Sequence, residues 1–142
     1  MFQIVLTGLV LIICSYTDIT SRKIYKSVIG AHLVLALIGH LVFRDLTVLS
    51  VLLGIVPGAG CILLSAVSKE SMGYGDAFLI FSCGFSLGTD RVLAMLFTSF
   101  FCVGIWALWL VCFRHGKKKT AIPFVPFLLM GAVIQGMGAL IL

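Results

Sequence analysis

The sequence predicts an all-α protein, a polytopic membrane bundle of about six transmembrane helices. Of its 142 residues, 61% are hydrophobic and 11% are charged, where an ordinary soluble domain carries about 25% charged and 45–50% apolar residues. The mean hydropathy of +1.23 points the same way. The apolar residues form long runs separated by short polar gaps, several of them near the roughly 20 residues needed to cross a hydrocarbon layer. No stretch alternates polar and apolar at period two, which excludes a closed barrel. Too few polar residues remain to cover a soluble surface. A soluble enzyme, a disordered chain and a nucleic-acid-binding domain are therefore not expected.

The first span, Met1–Thr17, is uncharged and ends at Asp18. It lacks a basic start and a small-residue cleavage site, so it is expected to be a retained helix, not a signal peptide. A polar stretch, Asp18–Ser27, leads to the second span, Val28–Phe43, which Arg44-Asp45 interrupts. The third span is Leu46–Ser68, followed by the polar gap Lys69–Asp76. Ala77–Leu87 is a short fourth span that gains length by backing into that gap. Gly88–Arg91 is a turn; Val92–Phe113 and Ile122–Leu142 are the fifth and sixth spans. The chain 1–142 is thus expected to be a single integral-membrane domain without internal repeats. Gly54, Gly58 and Gly60 in the third span, and Gly131, Gly136 and Gly138 in the sixth, are expected on packing faces, because small residues let membrane helices approach.

The net charge of +5 is explained by topology. Cytoplasmic loops accumulate Lys and Arg. Arg22, Lys23, Lys26, Lys69, Arg114, Lys117, Lys118 and Lys119 fall on one side of a six-span chain, and Arg44 and Arg91 on the other. The eight-residue side is expected to face the cytoplasm, with both termini outside. Omitting the fourth span would move Arg114 and the three lysines across and spoil the separation.

Cys14, Cys61, Cys83, Cys102 and Cys112 all lie in apolar runs, with no C-x-x-C pair. Metal sites need clustered ligands at short spacing, and His32, His40 and His115 add none. The cysteines are expected to be small buried hydrophobes. No metal and no cofactor is predicted.

The five acids divide in two. Asp45 and Asp90 sit beside Arg44 and Arg91 in the outer turns, and Glu70 follows Lys69 in a loop; these are expected to be solvated. Asp18 ends the first span and Asp76 begins the fourth, both at the cytoplasmic boundary, where ionised groups near hydrocarbon need a partner or a purpose. One reading is local: Asp76 caps its helix and Asp18 serves a turn. The other is an aspartic dyad, in which two close carboxylates share a proton. One takes a proton from water and the other donates to the developing oxyanion. That chemistry requires no serine, histidine or metal. Gly73-Tyr74-Gly75-Asp76 places glycines on both sides of one residue just before the acid, permitting close approach to the backbone.

Gly73-Tyr74-Gly75-Asp76 matches the Gly-x-Gly-Asp signature of intramembrane aspartic proteases. With Asp18 followed by Arg22-Lys23-Ile24, and with Ile122-Pro123-Phe124-Val125-Pro126-Phe127 opening the last span, the chain resembles the type IV prepilin peptidase family. The resemblance implies removal of the short basic leader of prepilins or pseudopilins at the cytoplasmic face of the bacterial inner membrane. It also implies that Asp18 and Asp76 are catalytic and that Gly73 and Gly75 support the second. Departures are visible: Ile24-Tyr25-Lys26 stands where the family commonly has Ile-Pro-Asn, Phe78 where a lysine is frequent, and Val125 where a glycine is usual. The cysteine-motif methyltransferase domain of longer members has no counterpart in these residues. The expected partners are the prepilin or pseudopilin substrate and membrane lipid, with no nucleic acid; the oligomeric state is left open. The alternatives are a preflagellin peptidase-like protease, a small proton or cation transporter using the two acids, and a non-catalytic membrane assembly subunit.

Overall fold

The computed structural model describes residues 2–21, 24–44, 46–67, 73–113 and 123–141. Its helices are α1 (Phe2–Ser21), α2 (Lys26–Phe43), α3 (Val48–Gly54), α4 (Val56–Val67), α5 (Tyr74–Leu87), α6 (Thr89–Phe113) and α7 (Val125–Ile141). No strand occurs among the described residues. The segments α3 and α4 are two parts of one 20-residue rod, Val48–Val67. The break at Ile55 has a local cause: Pro57 has no N–H for the Leu53 carbonyl four residues back, and the Ile55 N–H bonds the Val51 carbonyl at 3.2 Å. Six rods result. α1, α2, the α3–α4 rod and α6 are each long and apolar enough to cross a membrane, and α5 is a shorter apolar helix. The protein is an all-α membrane helix bundle.

α5 is the central helix. It packs against α1, α2, α3, α4 and α6, while α7 closes the bundle against α1 and α6. Leu79, Ile80, Cys83 and Leu87 of α5 join Leu11 and Cys14 of α1, Val92 and Met95 of α6 and Leu128 of α7 in the core. The other rods turn much of their surface outward: Leu41, Val67, Phe97, Phe101 and Val111 are exposed, as lipid-facing residues are where hydrocarbon replaces water. Near the end of α6, Trp106 stacks beside Trp109 with ring centroids 5.4 Å apart, Trp109 lies 5.6 Å from Phe113, and Phe127 of α7 lies 6.4 Å from Trp106.

Glycine sets the tightest contacts. A Cβ on Gly84 would overlap the Gly54 carbonyl, and one on Gly58 would overlap the Phe81 backbone, so the α3–α4 rod and α5 touch backbone to backbone. Gly131 meets the Met95 carbonyl, where a Cβ would lie 2.6 Å away. The expected packing role therefore holds for Gly54, Gly58 and Gly131. It does not hold for Gly60 and Gly138, whose Cβ positions are open, and Gly136 makes only an ordinary contact with Ile4 at 3.5 Å.

Helix ends differ from the sequence expectation in three places. α1 continues through Asp18 to Ser21, so Asp18 lies inside its last turn instead of following it. α5 begins at Tyr74, three residues before the apolar run. The turn before α6 shrinks to Gly88, whose φ of 76° is in the left-handed region; α6 starts at Thr89, where Oγ1 donates to the Ser50 carbonyl at 2.8 Å. The five cysteines are free thiols: Cys14 and Cys83 are buried, Cys61 and Cys102 half-buried, and Cys112 is exposed, so the expectation of burial fits the first two. His115 lies outside the described residues.

Candidate active site

The last turn of α1 and the first turn of α5 meet at one end of the bundle. Asp18 comes from the former and Asp76 from the latter. Both line an open cavity of about 430 Å³. Ile24, Ile29 and Phe78 supply its apolar wall, and Tyr25, Tyr74 and Lys26 its amphipathic rim.

Asp76 does not cap α5. The cap is Gly73, extended at φ −61° and ψ 128°, without a side-chain cap bond. Its carbonyl accepts from the Asp76 N–H at 3.1 Å and the Ala77 N–H at 3.3 Å. Asp76 is the third residue of the helix, and its negative charge is favoured there by the helix dipole. Of the two motif glycines, Gly75 is the more tightly packed: a Cβ there would lie 3.1 Å from the Ile24 Cβ, which would have to give by a few tenths of an ångström. Gly73 would tolerate a Cβ, which would sit 3.5 Å from Asp76 Oδ2.

Asp76 precedes the apolar run that begins at Ala77 and so lies outside the spanning segment. Burial, and secondly the charge of Asp18, push its carboxyl up to about 6. The two acids are thus close enough to sense each other. Such a pair can hold one proton between two carboxylates, with one ready to accept a proton and the other to donate.

The remaining acids stand apart from this cavity or outside the described residues. Asp90 is exposed in the first turn of α6, with Arg91 exposed beside it. Asp45, Glu70, Lys69, Arg22, Lys23, Arg114, Lys117, Lys118, Lys119 and Ile122 lie outside the described residues. No group of three or more His, Cys, Asp or Glu among the described residues is arranged to hold a metal ion. Sequence reasoning missed a buried polar run through Gln3, Thr7, His32, Ser82 and Ser86; isolated polar residues inside otherwise apolar spans were its signal.

The helical membrane bundle thus presents two carboxylates, Asp18 and Asp76, to one cavity. The profile of the type IV leader peptidase family matches residues 5–108, which includes both aspartates and the glycine motif. The chain belongs to the type IV leader peptidase family and is accordingly a peptidase. The segment from Ile122 to Phe127 lies beyond the matched residues. Searches of curated proteins and of solved structures return no match.

Proposed function

We propose that this peptidase is an aspartic endopeptidase that removes the leader of type IV prepilins or pseudopilins at the cytoplasmic face of the bacterial inner membrane. Asp18 and Asp76 are its catalytic pair. The observation that supports the reading is that both carboxylates line one cavity between the last turn of α1 and the first turn of α5. Asp76, whose carboxyl is held up, keeps the shared proton; Asp18 is the base. Water attacks the scissile carbonyl as its proton passes to Asp18, while Asp76 donates to the carbonyl oxygen. When the tetrahedral species collapses, the C–N bond breaks, the leaving amine takes the proton from Asp18, and the O–H proton of the tetrahedral centre returns to Asp76. The excess of eight basic residues on one side of the expected topology supports a cytoplasmic position for this end of the bundle, where a leader would stay while the substrate helix remains in the bilayer.

The test is leader cleavage in membranes holding this protein and a prepilin, comparing wild type with Asp18→Asn and Asp76→Asn at matched levels. Cleavage by wild type alone supports the pair. Cleavage by either folded variant at the wild-type rate removes it. The mass of the product also shows whether a methyl group is added to the new amino terminus.

A further inference from the structure

A run of polar side chains crosses the interior away from the cavity. Gln3 and Thr7 belong to α1, His32 to α2, and Ser82 and Ser86 to α5; none is more than 4% exposed. They connect end to end, and counting protons fixes the direction. Gln3 Nε2 donates to the Ala36 carbonyl at 3.0 Å, which leaves Oε1 facing Ser86 Oγ at 2.8 Å. A carboxamide oxygen only accepts, so Ser86 gives its one proton to Gln3. Ser86 Oγ, 2.9 Å from Thr7 Oγ, then accepts from Thr7. Thr7 Oγ, its own proton used, accepts from His32 Nε2 at 3.3 Å. In a neutral ring Nδ1 is then the acceptor, and the group 3.1 Å away is the Ser82 hydroxyl. Ser82 Oγ can instead donate to the Leu79 carbonyl, 3.0 Å away. A proton committed there would require His32 to carry two, a buried cation among apolar helices.

The chain of bonds bears on the site through helix geometry. Thr7 and Ser86 stand opposite each other on helices that run in opposite directions. From Thr7 to Asp18 is eleven residues, about 16 Å of rise; from Ser86 to Asp76 is ten, about 15 Å. The register fixed by the polar run therefore brings the two carboxylates to one level. A slip of one residue would move Asp76 by about 1.5 Å and turn it by about 100°. It would also leave several polar groups unpaired where no water replaces the partner.

We infer that His32, with its proton on Nε2, is a positioning residue that closes a one-way hydrogen-bond chain joining α1, α2 and α5 and thereby holds Asp18 and Asp76 level. The inference rests on the dyad reading above and concerns a residue outside the cavity. Its test has three readouts. Nitrogen NMR of the full chain, labelled at histidine and held in lipid nanodiscs, is expected to show His32 with a protonated Nε2 and a bare Nδ1. In prepilin cleavage, His32→Leu is expected to lower kcat on the order of 10²-fold, as an ångström-scale misplacement does, with KM within about threefold. His32→Gln, which keeps a donor and an acceptor, recovers about tenfold of that loss. In a background without native cysteines, a short bifunctional thiol reagent is expected to link Asp18→Cys to Asp76→Cys, and His32→Leu to reduce that yield severalfold.

A ring protonated on Nδ1 or on both nitrogens overturns the inference, as does an unchanged crosslinking yield in His32→Leu. The ring proton is read on the unaltered chain, so a variant that fails to fold does not shield the idea. A wild type that cleaves no prepilin removes the dyad reading and leaves the ring proton and the crosslink to decide the lock.

Discussion

Gly75 stands against Ile24 so closely that a Cβ on Gly75 would lie 3.1 Å from the Ile24 Cβ and 3.3 Å from its Cδ1. This contact joins the head of α5 to the segment between α1 and α2, and both residues border the cavity. Gly75→Ala is expected to fold and to lose about tenfold in cleavage rate, because Ile24 must retreat by a few tenths of an ångström and the cavity wall moves with it. Gly75→Val is expected to lose more. Rates measured at matched protein levels decide it, and a valine variant as fast as wild type would refute the contact's role.

The proposed mechanism also fixes the sign of a pH response. Cleavage needs one proton on the pair, and Asp76 keeps it because burial and Asp18 hold its carboxyl up to about 6. Raising the pH through about 6 strips that proton, so the rate is expected to fall on the alkaline side. Asp18→Asn removes the second cause, and the Asp76 carboxyl signal in carbon NMR is then expected to titrate lower than in wild type. An Asp76 titration unmoved by Asp18→Asn would show that the two acids do not interact.

Packing of the α3–α4 rod on α5 gives a stability prediction. Gly84→Ala places a methyl group on the Gly54 carbonyl, with backbone on both sides and no flexible side chain to give way. It is expected to cost about 1–3 kcal/mol, the range for overpacking. Gly60→Ala, with open space around it, is expected to stay within about 0.5 kcal/mol of wild type. Unfolding in detergent, followed by helix signal, measures both, and equal effects would contradict the backbone contact.

Topology is the fourth expectation. In a cysteine-free background, Thr47→Cys is expected to react with an impermeant thiol reagent from outside intact cells. Ser71→Cys is expected to react only once the cytoplasmic face is opened. The reverse pattern would place the cavity on the outer side and exclude a cytoplasmic leader as substrate.

Much of this architecture is written in hydrophobicity, because hydrocarbon penalises every charge and every unpaired backbone group. Runs such as Val28–Phe43 and Val92–Phe113 accordingly fall within a few residues of α2 and α6. The same uniform apolarity hides the break at Ile55, for which Pro57 was the only sign. It also hides how far α1 continues past Thr17, since a helix can run on into polar sequence. The two acids were legible as a pair because so few acids exist. The role of Gly75 was legible as motif, but its partner Ile24 was not, because that contact joins segments about 50 residues apart. His32 was weighed as a metal ligand and set aside; its bonds to Thr7 and Ser82 depend on helix neighbours that spacing along one chain does not reveal.

The aromatic rings at the end of α6 carry one more consequence. Trp106, Trp109 and Phe113 are exposed and precede the basic residues 114–119 in the sequence, and indole rings settle at the level of lipid headgroups. In a bilayer such rings would moor the bundle at a fixed height along the membrane normal. For the proposed substrate, whose helix would stand in the same bilayer, height is a coordinate that selects which peptide bond is presented. The aromatic cluster would then set the graduation of a ruler, with the lipid surface as its zero mark.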